Sequence, residues 1–540
     1  MPKPPTTTVL ITGSGPTGLT LAIDLARRDI GVRIIDKSPQ FPRSSRAKGP
    51  NPRSLEVLED LGVIEQVLAA GSAPLPMRKY RGAEVIADTD PYAAARPTPD
   101  APYDRPWLIA QWRLEEILRA RLAEYGVRVE LGAELVGLAQ GDDSVTASLA
   151  GGREIEARYL VGCDGGHSAV RKLLGVPFEG KTDEEQMMVC GDVEAQGPDR
   201  GVWHQWFDGD GGVMLCPIPG TRSGWWFQAA PETDAAGSPV PPSLESFQRL
   251  FAKHTGRPGG LLSSATLLST YRVNERMVDR YRVGRVFLAG DAAHVHAIAG
   301  GLGMNTGIQD AFNLGWKLAG VATGRAAPEL LDTYEEERLP IAARTLDITA
   351  ERLRATLEAI KEPGGGLDSA VTPQTYGLGD GYRWSSLAPA GGTARLRAGD
   401  RAPDAPCRDA ATGAPRRLFE TFAGPHFTLL GFGAGTAQAL RDATAAHGDE
   451  LRAHTVVRAD GTDGPDETGG ATGATGSAGG AAYGGLTDDG GRARSAYGIG
   501  PDEDDVLVLI RPDNHVGLIA PAGDHRAVAE YLKGAALERA

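Results

Sequence analysis

The sequence predicts an α/β protein. A βαβ-headed first domain is interrupted by a sheet-based insertion and followed by a smaller unit at the C-terminus. Three observations carry this prediction. The apolar run Val9-Leu10-Ile11 leads through a glycine-rich turn into residues at helical spacing, then into a second apolar run, Val32-Arg33-Ile34-Ile35. Residues 181–280 change character and hold four Trp (203, 206, 225 and 226) in short strand-like runs. From Gly284 the first pattern returns, with a strand expected over 285–289 and helix over 306–358.

The elements follow in order. Leu19, Leu21, Ala22, Leu25 and Ala26 predict a helix ended by Gly31, and Asp36 closes the second strand. An amphipathic helix is expected over 114–125, a strand over 127–131, alternation around Val145 and Ile155, and a buried strand over 159–162. The Trp-bearing runs predict a sheet with aromatic side chains on one face. Residues 362–394 are rich in Gly and Pro and read as a linker. The domain division is 1–180, 181–280, 281–361, 362–394 and 395–540. Within the last, 460–500 is poor in apolar residues and reads as a mobile insertion.

Composition limits the function classes. At 540 residues the chain can bury a sizeable core without staples, and 41% apolar with 23% charged is ordinary for a soluble protein. No apolar run approaches the roughly 20 residues of a membrane span. Residues 1–8 lack the basic-then-apolar plan of a secretory signal. Four cysteines without a CxxC pair argue against a disulfide framework or a metal site, so a cytoplasmic protein is expected. Seventy acidic against 56 basic residues give a net charge of −14, which repels phosphate backbones and disfavours nucleic acid as the main partner.

The chemistry begins at Gly13-Ser14-Gly15-Pro16-Thr17-Gly18. Gly13 allows a tight turn, Gly15 lets a pyrophosphate approach the backbone, and Gly18 lets helix and strand pack closely. The helix N-terminus offers free N–H groups to phosphate. Asp36 lies 18 residues beyond Gly18, where a carboxylate can accept from a ribose diol. Together these predict a Rossmann-like dinucleotide site. Two further turns of small residues carry carboxylates: Cys163-Asp164-Gly165-Gly166, and Ala289-Gly290-Asp291-Ala292-Ala293-His294, running on to Gly300-Gly301-Leu302-Gly303-Met304-Asn305. A carboxylate there suits a hydroxylated chain, and a Gly-rich turn entering a helix suits negative charge.

These three motifs in this order resemble the FAD-dependent aromatic hydroxylases, the single-component flavoprotein monooxygenases similar to para-hydroxybenzoate and phenol hydroxylases. The similarity spans about 1–350 and includes the Leu331-Asp332-Thr333-Tyr334-Glu335 run. The C-terminal region, with Ala398-Gly399-Asp400-Arg401 and Ile510-Arg511-Pro512-Asp513, is similar to the thioredoxin-like tail of larger bacterial members acting on polyketides or phenols. The resemblance implies non-covalent FAD. Its pyrophosphate would lie at Gly13, Gly15, Pro16, Thr17 and Gly18, and its adenosine ribose at Asp36 beside Lys37. Arg46 and Gln111 would lie near the phosphates, Leu135 at the adenine, and Asp291 on the ribityl chain. Backbone at Gly303, Met304 and Asn305 would meet the flavin ring. Asp164 and Arg171 are either braces or direct contacts.

The resemblance further implies reduction by NADPH or NADH and oxygen transfer from a flavin hydroperoxide to an aromatic, polycyclic substrate. A simple phenol, or a Baeyer–Villiger or epoxidising outcome, remains the alternative. His204, Trp206, Trp225 and Ile298 are the substrate-pocket candidates. Ile298 enters because relatives carry a proline step where this chain has His296-Ala297-Ile298-Ala299. His204, His294 and His296 are base candidates by chemistry alone, so no catalytic residue is assigned. A redox-inert C-terminal unit is expected, with its one cysteine, Cys407. A homodimer stays open.

Overall fold

The computed structural model describes residues 7–208, 211–362, 365–459, 483–500 and 505–535. Among these residues the strands form three sheets. In the first, Val286–Leu288, Glu154–Gly162, Thr7–Thr12, Val32–Ile35 and Val129–Glu130 lie side by side and parallel. Val9, Leu10 and Ile11 are all fully buried. Consecutive buried positions are the mark of a parallel strand covered on both faces. Helix Pro16–Ala26 packs against Gln111–Glu124 and Gly303–Ala322.

The expected helix ends shift for local reasons. The first helix stops at Ala26 rather than at Gly31, because Asp29 takes a left-handed φ of 59° and Ile30 N–H returns to Leu25 C=O. The helix expected over 306–358 is two helices, Gly303–Ala322 and Asp332–Ala359, separated at Gly324 (φ 73°) and Pro328. The second helix contains Pro340, which cannot donate to the carbonyl four residues back. That carbonyl, on Glu336, accepts from the Trp384 indole N–H at 2.9 Å.

The second sheet is antiparallel in its centre, running Ser269–Met277, Glu179–Ala195, Gly224–Ala229, Gly211–Pro217 and Trp203–Asp208. It is extended by Met77–Arg81 and Glu84–Thr89, which come from well before residue 181. Helix Leu244–Thr255 covers one face of it.

The third sheet is mixed, with Leu451–Arg458, Phe427–Phe432, Val506–Ile510 and Val516–Pro521 in spatial order. The insertion expected over 460–500 needs correction in its second half. Gly484–Asp488 pairs with both Leu451–Arg458 and Pro406–Asp409, and helix Arg492–Tyr497 follows. Leu486, Ala493 and Tyr497 fill the core there, so few apolar residues sufficed because each is fully used. Residues 460–482 lie outside the described residues.

Buried ions join the third sheet to the first domain. Arg511 donates to both oxygens of Glu337 at 2.6 and 2.8 Å, and Lys317 Nζ reaches Glu337 at 2.6 Å. All three side chains are fully buried. Two cations hold the Glu337 carboxyl well below the usual carboxylate range, while burial pulls Lys317 down to about 8. The 362–394 stretch also packs: Ser385 Oγ donates to Glu337 at 2.8 Å, and Tyr382 is buried.

Candidate active site

The glycine-rich turn is built as its residue types require. Gly13 has φ 95°, and a Cβ there would lie 2.3 Å from Cys163 C=O. A Cβ on Gly18 would lie 2.1 Å from Gly13 C=O, so the helix sits tightly on the turn. Gly15 differs, since a Cβ there would meet nothing within 4 Å. Its backbone faces open space at the start of helix Pro16–Ala26, which no side chain caps. This is an anion-accepting helix end.

Thr17 is where distant motifs meet. A Cβ on Gly290 would lie 2.6 Å from Thr17 Oγ1, and one on Gly307 2.4 Å from it. The two small residues let the first turn, the Gly290–Ala292 turn and helix Gly303–Ala322 close around one hydroxyl-bearing side chain. The N-terminus of Gly303–Ala322 also lacks a side-chain cap. Asp291 is exposed, yet the surrounding protein raises its pKa, with His294 and Arg46 acting in the opposite direction. Such a carboxylate is suited to hydroxyl donors.

The other expected cofactor residues divide. Asp36 accepts from Ser14 N–H (2.8 Å), Ser14 Oγ (2.7 Å) and Ser38 N–H (2.9 Å). Burial opposes its charge, but these donors outweigh burial and hold its pKa low. Lys37 and Arg46 are exposed. Gln111 acts on the 45–47 loop: its Oε1 accepts from Arg46 N–H (3.3 Å) and Ala47 N–H (3.1 Å), and its Nε2 donates to Glu115 (2.9 Å). Leu135 is a core residue. Asn305 is buried, its side chain linking Gly301 C=O (2.7 Å) to Asn51 N–H (2.8 Å), while Met304 is partly buried against the core. Asp164 and Arg171 make bracing contacts, while Asp164 Oδ1 has no partner among the described residues. Asp164 accepts from Ala169 N–H (2.7 Å), and Arg171 donates to Ala292 C=O (2.9 Å) and Gly166 C=O (2.7 Å). His294 is buried against Asp310 at 2.7 Å, and Asp310 is held by Arg338 at 2.7 Å. His296 is buried with neither ring nitrogen partnered, and burial keeps it neutral.

The second sheet presents two faces to different surroundings. Register fixes them, because directly paired residues share a face and neighbours along a strand alternate. His204, Leu215 and Phe227 share one face, as do Trp206, Val213 and Ala229, and with them Trp225. This face lies under helix Leu244–Thr255, where Trp206 meets Phe251 and Phe227 stacks on Phe247. The pocket assignment of His204, Trp206 and Trp225 is therefore corrected. They are core residues with every polar atom partnered. His204 meets Tyr80 OH and Asp199 C=O, each at 2.7 Å, while Trp206 and Trp225 donate to Gly82 C=O and Ala195 C=O, each at 3.0 Å.

The opposite face carries Trp203, Gln205, Met214, Cys216, Trp226, Gln228, Asp192 and Cys190. It turns toward the 45–48 loop. Ser45 N–H donates to Asp192 at 3.1 Å, and Lys48 Nζ to Gln228 at 2.9 Å. Tyr271, in the next strand, donates to His296 C=O at 3.0 Å, which brings the loop bearing Ile298 to the same side. The indole N–H groups of Trp203 and Trp226, Gln205 Nε2 and Asp192 Oδ1 are buried without partners. Burial raises Asp192 to about 6. Sequence reasoning missed these residues, although the alternation of Trp203 with His204, and of Trp225 with Trp226, carried the choice between faces.

Comparison with known proteins agrees with this geometry. Residues 6–349 match the family described as FAD binding domain. A flavin-dependent monooxygenase of Mycobacteroides abscessus is 44% identical over 442 residues, covering 79% of this chain and 89% of the relative. The 6-methylpretetramide 4-monooxygenase of Streptomyces rimosus is 38% identical, covering 69% and 72%. Among solved structures, aklavinone-11 hydroxylase in a ternary complex with FAD and aklavinone superposes with a TM-score of 0.78 at 27% identity, over 99% of this chain and 100% of that one. The open backbone at Gly15, two uncapped helix ends and the exposed Asp291 fit FAD, the cofactor of the family description and of the aklavinone-11 hydroxylase complex. The chain belongs to the FAD-binding family of flavin-dependent monooxygenases.

Proposed function

We propose that this protein is an aromatic hydroxylase that uses NADPH or NADH and oxygen to add one oxygen to a polycyclic phenolic substrate, of the polyketide or antibiotic-like kind. One observation carries the reading: the sheet face bearing the half-buried Lys48, whose ammonium lies over the Trp203 and Trp226 rings, is turned toward the 45–48 loop and the loop at 296–303. The polycyclic substrates named for the relatives support the class.

In this reading Gly13, Gly15 and Gly18 receive the pyrophosphate, with the N–H groups of the first helix turn aimed at it. Asp36 holds the adenosine ribose through the acceptor capacity its serine partners leave. Asp291 holds the ribityl hydroxyls, and the uncapped N–H groups at 303–305 lie at the ring. FAD, held non-covalently, supplies oxygen activation once reduced. The chain's own residues position the substrate ring, exclude water and keep the Asp291 turn rigid through the Asp310–Arg338–His294 cluster. The third sheet supports a thioredoxin-like reading without redox chemistry, since Cys407 is buried and its thiol is pushed up to about 12. Its role is structural, through the Arg511–Glu337 pairing. The four unpaired cysteines support a reducing, cytoplasmic setting.

The test is NADPH and NADH oxidation by purified holoenzyme, with and without a panel of phenols and polycyclic hydroxyketones, with product masses. A mass gain of one oxygen with the ring system intact supports hydroxylation. Ring expansion replaces it with a Baeyer–Villiger outcome, and no substrate-stimulated product rejects the reading.

A further inference from the structure

Lys48 sits on the open face of the second sheet, over the rings of Trp203 and Trp226 at 5.5 and 5.8 Å from their centroids. Among the described residues its ammonium donates to one acceptor, the neutral Gln228 Oε1, and makes no ion pair. Lys79, on the same face beside Gln205, is by contrast paired with Asp368 at 2.9 Å. An ammonium has three donors, so two of those on Lys48 are left over. The aromatic rings stabilise its charge without accepting those N–H groups.

The titratable groups that act on Lys48 are Cys216, Cys190 and Asp192. The thiols are pushed up by burial, Cys216 to about 12, and carry no charge. Asp192 is the nearby carboxylate, with Oδ2 held by Ser45 N–H and burial disfavouring its charge. A half-buried cation with spare N–H donors and no ion pair among the described residues is a site for an anionic oxygen.

We propose that Lys48 receives the ionised hydroxyl oxygen of the aromatic substrate, so that the protein selects phenols in their phenolate form. The inference rests on the aromatic-hydroxylase reading above and assigns the substrate group that fixes its orientation. The hydroxyl proton leaves to solvent, and no bond to carbon changes in this step. The ionised ring is more electron-rich, which suits it to accept an electrophilic oxygen. Binding the phenolate also neutralises a lysine that burial otherwise pulls below its ordinary pKa.

The experiment titrates holoenzyme with 2-hydroxyanthraquinone, whose visible band moves to the red on ionisation, and with its O-methyl ether. It is run below the probe's own ionisation. The parent is expected to bind the hydroxy probe with the red-shifted band, about tenfold or more tighter than the ether. Lys48→Met should lose both the band and the preference while keeping flavin content and circular dichroism, and Lys48→Arg should retain both. Lys48→Gln, which keeps a polar partner for Gln228, is read in the same way and guards against a misfolded Met variant. Retention of band and preference in Lys48→Met or Lys48→Gln overturns the inference alone. Failure of the parent to bind either probe overturns the polycyclic-substrate reading and the inference with it.

Discussion

The two faces of the second sheet are made from the same strands and nearly the same residue types, yet they are satisfied differently. Under helix Leu244–Thr255, the indoles of Trp206 and Trp225 and both nitrogens of His204 have protein partners. One residue along, the indoles of Trp203 and Trp226 have none. A buried aromatic residue does not by itself mark a pocket, and neither does an unpartnered polar atom on it, since the Trp316 indole and the Tyr281 hydroxyl are unpartnered within the main core. The difference can be attacked from either side.

The largest effect is expected on the covered face. Trp225→Ala removes a fully buried indole and leaves Ala195 C=O without its donor. Unfolding in urea should show a loss of about 3–5 kcal/mol. Coupling of NAD(P)H oxidation to product, per folded and flavin-loaded molecule, should be unchanged. A change in coupling at constant stability would return Trp225 to the pocket.

The open face should show a pH dependence opposite in sign to that of the covered face, where burial lowers His204. Asp192 is raised from 3.8 to about 6 by burial. A carboxyl raised in the folded state binds its proton more tightly there than when unfolded. Stability is therefore present below about pH 4, falls as pH rises through the window from 3.8 to about 6, and stays lower above it. Asp192→Asn fixes the neutral form and keeps an acceptor for Ser45 N–H. Its thermal stability should exceed the parent's by about 1–3 kcal/mol at pH 7.5 and match it at pH 4. A gain of equal size at both pH values would show that the carboxylate charge is not the cause.

How far the sequence carried the molecule depends on what each feature needs. The glycine-rich turn was legible because a Cβ is excluded at Gly13 and Gly18 by neighbouring backbone, a constraint visible as residue type. The meeting of Gly290, Gly307 and Thr17 was legible only as three separate motifs, since their approach is tertiary. The sheet face was misread by one residue, because a one-step shift in a period-two pattern exchanges every side chain. Both Trp225 and Trp226 are apolar and aromatic, and only the position of helix Leu244–Thr255 decides between them. The joining of Met77–Arg81 to Trp203–Asp208 depends on pairing over more than a hundred residues, which no local signal encodes.

A matched pair sharpens the comparison at lower cost to the fold. Trp225→Phe deletes a partnered N–H and strands a buried carbonyl, with an expected loss of about 1–3 kcal/mol. Trp226→Phe deletes an N–H that has no partner, so stability should stay within about 0.5 kcal/mol. Equal stability losses in the two variants would mean that Trp226 has a protein partner and the open face is not open.

The smallest effect is expected at the loop bordering that face. Ile298 C=O accepts from Gly301 N–H at 3.1 Å, and Gly300 has φ 84°, the pattern of a type II turn with Ala299 at its second position. That position favours proline, and no backbone bond from Ala299 N–H is present to lose. The proline step that the family resemblance implies would thus have a compatible place in this chain. Ala299→Pro should raise stability by about 0.4–1 kcal/mol by restricting the unfolded chain. If the loop's freedom lets reduced flavin react unproductively with oxygen, product formed per NAD(P)H consumed should rise as well. The loop touches the second sheet through Tyr271 and His296 C=O, so stiffening it tests whether the open face needs a movable border. Higher stability with unchanged coupling would assign the loop a passive role, and lower stability would show that the turn is not of the type its backbone angles indicate.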